Sequence, residues 1–200
     1  MTASNFSINS NLSYVLVCGS YLNNKLNDKL CAILGNELTK HNLGIISGGG
    51  KPAIKIALSF YKMLKDLDIY EPDKIITVYR EKGNTEELKI KRIGCIYFEG
   101  NNIEELRDFL ISNCKMVIVV GGSTKTRQEI LLAQERKIPI IPIGMSKGAA
   151  YNLWNYYYKT QKFNNEEAFI KLNNKNPFIA SSAVISILRE IICLDKISSY

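Results

Sequence analysis

The chain has 200 residues, 46% of them apolar and 22% charged, with a formal net charge of +7. This composition excludes a disordered or fibrous chain and is enough for one full two-sided sheet core. The basic surplus favours an anionic partner. Its even spread among glutamates, with no arginine-rich arm, argues against a nucleic-acid polymer as that partner.

Cys18, Cys31, Cys95, Cys114 and Cys193 form no CxxC pair and read as free thiols of a reducing compartment. A structural zinc site needs clustered ligands, and the single histidine, His41, has none beside it, so no metal or cofactor is expected. The start of the chain is polar and has no signal-peptide core. No apolar run is read as long enough to cross a bilayer, so a cytoplasmic location is expected.

Residues 1–12 read as a loose leader, and 13–200 as one domain. YVLVCGS, Tyr14 to Ser20, is apolar on both faces and predicts a buried strand. Leu26, Leu30, Ile33, Leu34 and Leu38 recur at helical spacing over 26–40. LGIISGGG, Leu43 to Gly50, predicts a second strand. A helix follows over Ala53 to Leu67, with Pro52 near its first turn.

Further strands are predicted over Lys74 to Arg80, Arg92 to Phe98, Lys115 to Ser123 and Ile138 to Gly144. Helices are predicted over Glu104 to Asn113, Thr126 to Lys137 and Gly148 to Tyr158. Two closing helices follow within 165–196, one over Glu166 to Leu172 and one over Ser181 to Asp195. Ser181 or Ser182 caps the second. Repeated strand–helix alternation with continuous apolar strands predicts an α/β, Rossmann-like open parallel sheet with helices on both faces.

Three strands end in glycine and serine: Gly19-Ser20, Ser47 with Gly48, Gly49 and Gly50, and Gly121-Gly122-Ser123. Each precedes a helix. In a parallel sheet these ends share one edge, where ligands bind. Glycine allows close backbone approach, and a helix start offers free N–H groups and positive potential. The three turns together predict a phosphate or ribose cradle. No GxGxxG series or Walker A loop is present, since GGGKP lacks the hydroxyl residue after Lys51.

Lys125 and Arg127 stand at a helix start, where their charge opposes the dipole unless an anion offsets it. Glu129 suits hydrogen bonding to ribose hydroxyls or acid/base work at a glycosidic bond. As the bland alternative, it only favours the helix start. Arg107 either reaches over the same edge or snorkels beside the core. Arg80 and Arg92 flank a polar stretch and are candidates for a second phosphate. His41 follows a helix end.

These residues resemble the SLOG superfamily. It includes the LOG phosphoribohydrolases, the DNA-processing Smf/DprA proteins and sensor domains of nucleotide signalling. Gly48, Gly49 and Gly50 match the family's triple-glycine turn. Gly121, Gly122, Thr126 and Glu129 fit its PGGxGTxxE motif with one extra residue between Gly122 and Thr126, and Arg107 matches the arginine of the helix before it. Lys125 stands where the enzymes carry glycine, and their arginine-lysine pair is reduced to Arg107-Asp108. The segments LVCGSYLN, IISGGG and IIPIGMSKGAAYNLWNYY are similar to the SLOG sensor domains of Thoeris antiphage effectors.

That resemblance implies a sensor for a cyclic ADP-ribose-type or other adenine nucleotide, not an enzyme. It also implies a Sir2-like, NAD-degrading effector in the same or a separate chain. Ligand contacts are then expected at Gly19, Ser20, Gly48, Gly49, Gly50, Arg80, Arg107, Gly121, Gly122, Lys125, Thr126 and Glu129. The alternative is a LOG-type nucleoside 5'-monophosphate phosphoribohydrolase with Arg107 and Glu129 as its catalytic pair. The amphipathic last helix and the aromatic run YNLWNYYY predict a homodimer.

Overall fold

The architecture is that of a computed structural model, which describes residue 9 and residues 12–80 and 93–197. Most of the expected leader, Arg92 and the polar stretch 81–92 lie outside the described residues.

Strands with apolar residues on both faces have to sit in the middle of a layered fold, and they do. β1 (Ser13–Ser20), β2 (Leu43–Ser47) and β5 (Met116–Gly121) are buried almost throughout. β3 (Ile75–Tyr79), β4 (Cys95–Phe98) and β6 (Ile140–Ile143) complete a sheet in the order β4-β3-β2-β1-β5-β6. Every pairing is parallel. The chain builds outward from β1 to β4, then crosses back to lay β5 against the free side of β1. That reversal makes the gap between the ends of β1 and β5 the topological switch point, where open α/β sheets bind ligands.

The helices divide between two apolar layers. One layer packs α1 (Lys25–Leu38), α2 (Lys51–Asp66), α6 (Glu166–Lys171) and α7 (Pro177–Ile197) with Val15, Val17, Ile45 and Ile118. The other packs α3 (Ile103–Ser112), α4 (Thr124–Glu135) and part of α5 (Gly148–Lys159) on Leu16, Cys18, Ile46 and Val117. Alternate residues of one strand thus feed opposite layers, as strand geometry requires.

Two expectations about the last helix are corrected. It starts at Pro177, so Ser181 and Ser182 lie inside it and do not cap it. Asn176 does, accepting a hydrogen bond from the Phe178 amide at 3.0 Å. Pro177 needs no amide hydrogen at that position, which is why the helix starts four residues early. The second correction concerns length. Pro177–Leu194 is long and apolar enough, with a mean hydropathy of 1.7, to span a bilayer. In the fold, Ala180, Val184 and Leu188 of this helix are fully buried, and it packs against α1 and α6.

Candidate functional site

The three glycine turns meet at the carboxyl rim of the sheet. In the register of β1 and β5, Gly19 faces Val120 and Ser20 faces Gly121. A Cβ placed on Gly19 would stand 2.0 Å from the Val120 carbonyl oxygen, and the residue has φ of +130°. Gly19 is therefore required for β1 and β5 to close on each other, whatever binds above them. Gly48 differs. The nearest atom to a Cβ there is Leu110 Cδ1 at 3.4 Å, an ordinary contact, and its φ lies outside the left-handed range.

A fourth turn belongs to the same rim. Ser146 follows β6, and its buried hydroxyl accepts from the Gly121 amide at 2.7 Å and donates to the Ile143 carbonyl. The buried Asn27 amide reaches the Ser146 carbonyl at 3.3 Å and ties the start of α1 to this turn. Sequence reasoning missed Ser146 and Asn27 as rim residues. IIPIGMSKG carries the same signal as the other three turns: a strand ending in glycine, a serine, then a helix.

Helix starts at the rim fall into two kinds. α1 and α3 are capped by the side chains of Asn24 and Asn102 and carry acids in their first turns. α2, α4 and α5 have no side-chain cap and no acid in the first turn. α5 is docked, since its Ala149 amide donates to the Gly122 carbonyl at 3.0 Å. The starts of α2 and α4 are left with unfilled donors, positive potential and the cations Lys51, Lys125 and Arg127. Lys51 Nζ rests 4.9 Å over the Tyr21 ring and donates to Asn23 at 3.2 Å. Lys125 and Arg127 are exposed.

Beneath the rim, on the α3–α4 side, lies a buried charged cluster. Arg107 is only 6% exposed, and its Nε is buried without a hydrogen-bond partner. Such an orphan donor costs about 1–3 kcal/mol. Burial pushes the Glu129 carboxyl above the usual carboxylate range, against the opposing pull of the Arg107 charge. The Cys18 thiol lies against Glu129. Burial, reinforced by that carboxylate, pushes it well up, so it stays protonated. Arg107 thus does not snorkel to solvent; α3 holds it under the rim. The adjoining Asp108 turns outward to Arg136, the residue that ends α4.

Thr126 is buried with its side chain packed against Gly122, so it shapes the turn. Arg80 is exposed at the end of β3, three strands away from Gly121. His41 lies at the opposite, amino-terminal end of β2, with Nε2 buried and unpartnered. Among the described residues no group of three or more histidine, cysteine or acidic side chains is placed to hold a metal ion.

The protein is of the Rossmann-like α/β class, an open parallel sheet with its polar groups gathered at the switch point, and it shares its fold with several solved structures. The molybdenum cofactor carrier protein of Chlamydomonas reinhardtii is similar over 91% of this chain and 99% of its own, at 12% identity and a TM-score of 0.62. TM1055 is similar over 72% and 81%, at 16% identity and a TM-score of 0.58. DNA processing protein A of Helicobacter pylori, with a described single-stranded DNA binding mode, is similar over 80% of each chain, at 16% identity and a TM-score of 0.53. No protein-family model matches the chain, and no curated protein matches it in sequence.

Proposed function

We propose that the carboxyl rim binds a phosphate-bearing adenine nucleotide of the cyclic ADP-ribose type, and that the chain acts as its sensor. One observation carries this reading: a buried arginine with an orphan Nε beneath two uncapped, lysine-bearing helix starts at the switch point. In the free protein the Arg107 donor is unsatisfied. A phosphate or ribose oxygen that accepts from it removes that penalty, and a charge-assisted bond contributes about 1.5–3 kcal/mol. Negative charge at each open helix start adds about 0.3–1 kcal/mol. Glu129 is then the acceptor for ribose hydroxyls.

The signalling part of the reading rests on the sequence likeness to Thoeris sensor domains. In that reading the domain controls a Sir2-like, NAD-degrading effector in the cytoplasm, and the amphipathic last helix and the aromatic run YNLWNYYY join two copies as a homodimer. Light scattering with and without ligand tests the dimer.

A second reading is favoured by Glu129 itself. A carboxyl raised by burial and set beside an arginine suits a general acid at a glycosidic bond, as in a nucleoside-monophosphate phosphoribohydrolase. A thermal-shift titration separates the two readings, because a ligand that binds only the folded state must raise its melting temperature. The sensor reading expects a far larger shift with one cyclic ADP-ribose isomer than with AMP, and no release of free adenine from either. A shift with AMP, accompanied by release of free adenine, moves the assignment to the hydrolase. A shift with the molybdenum cofactor alone sets both aside in favour of a carrier.

A further inference from the structure

We infer that Tyr79 and Phe98 form an aromatic shelf for the flat heteroaromatic ring of the ligand whose anionic end lies at the glycine rim. The inference rests on the rim being an anion site.

Tyr79 is the last residue of β3 and Phe98 the last of β4, and the two are partners in register. Their ring centroids lie 6.1 Å apart with planes 35° from each other. The Glu99 amide donates to the Tyr79 carbonyl at 2.7 Å, so the ladder continues past both rings and holds them at the rim. Phe98 is 42% exposed, on the carboxyl edge where the other polar and glycine-rich features collect.

The shelf is continuous with the charged cluster. The Tyr79 hydroxyl and ring edge lie 3.2 Å from where a Cβ on Gly49 would stand. On its other side, the same turn meets Leu110 through Gly48, one helical turn along α3 from Arg107. The triple-glycine turn is thus the bridge between the arginine and the rings. Three strand spacings separate β5 from β3, roughly 14 Å at ordinary sheet geometry. Across that distance lie Lys125, Arg127 and the open start of α4 at one end and stacking surface at the other, with the open start of α2 between them. The ligand class that matches is one with a flat ring and a phosphate at opposite ends, such as an adenine-ribose phosphate.

The test is calorimetric titration of the full chain with three probes: ribose 5-phosphate, adenosine and ADP-ribose. Tyr79→Leu and Phe98→Leu are expected to weaken adenosine and ADP-ribose binding about tenfold, the order found for loss of one base–aromatic stack, and to leave ribose 5-phosphate unchanged. Tyr79→Phe keeps the ring and is expected to keep the affinity, which controls for damage to the fold. Arg107→Met is expected to do the reverse, losing ribose 5-phosphate while adenosine still binds. If the leucine variants leave adenosine and ADP-ribose unchanged while Arg107→Met abolishes ribose 5-phosphate binding, the shelf is overturned and the anion site stands. If the leucine variants weaken adenosine while Arg107→Met changes nothing, the shelf stands and the anion site is overturned. Wild-type protein that binds none of the probes at millimolar concentration overturns both.

Discussion

The carboxyl rim and the opposite flank of the sheet present different kinds of surface. At the flank, a groove of about 450 Å³ runs along edge strand β6 and the carboxyl half of α7, lined by residues such as Ile140, Pro142, Phe163 and Ile191. Its chemistry is largely satisfied: Pro142 offers no amide, and the Tyr157 hydroxyl accepts from Gln134 at 3.1 Å. The rim holds an orphan arginine nitrogen, a raised carboxyl and two helix starts without caps. A hollow alone reports how elements happen to pack, whereas unsatisfied charge reports what is missing. The rim is therefore the stronger site.

The largest expected effect tests whether the rim glycines serve the fold or the ligand. Gly19→Ala puts a methyl into the Val120 carbonyl at a φ that alanine rarely adopts. It should cost about 4 kcal/mol or prevent folding, as read by urea denaturation. On the flank side, Leu188→Ala empties a fully buried site of α7 and should cost about 3 kcal/mol. Nucleotide affinity of the folded protein should not change; if it does, the flank and the rim are coupled.

Arg107→Met separates binding from stability at the rim. Nucleotide affinity should fall about 100-fold, while the melting temperature changes little, because removal of a buried unpaired donor offsets the loss of the Arg107 charge beside Glu129. A fall in both would make Arg107 a structural residue. Gly48→Ala is the counterpart of Gly19→Ala. With only an ordinary contact at 3.4 Å, it should leave stability unchanged or raise it by up to ~1 kcal/mol. It should nevertheless weaken nucleotide binding about tenfold, ~1.4 kcal/mol.

Glu129→Gln gives the smallest effect and bears on pH. The native carboxyl titrates above its unfolded value. The folded chain therefore binds more protons between the two values, and stability falls as pH rises through that window. Melting curves of the glutamine variant should lack this part of the slope and should match or exceed wild type at neutral pH. An identical pH profile would mean that Glu129 is not held in a raised state.

The contrast between Gly19 and Gly48 also shows how far the sequence reads. Both belong to strand–glycine–helix signals, and the signal alone treats them alike. Only the cross-strand register sets Val120 against Gly19 and leaves space above Gly48. Likewise, Arg107 is legible as a helix residue before the motif. That its Nε is buried and unpartnered depends on how α3 lies on the sheet.

By itself the sequence determined the parallel α/β layering, the position of most elements and the gathering of glycine turns on one edge. These follow from local periodicity and from the rule that parallel strands end on the same side. The tertiary structure decided the rest: the strand order that opens the switch point between β1 and β5, the Ser146–Asn27 tie, the early start of α7 and the Tyr79–Phe98 shelf. Each of these joins residues far apart in the chain, and only packing free energy summed over the whole core selects which distant residues meet.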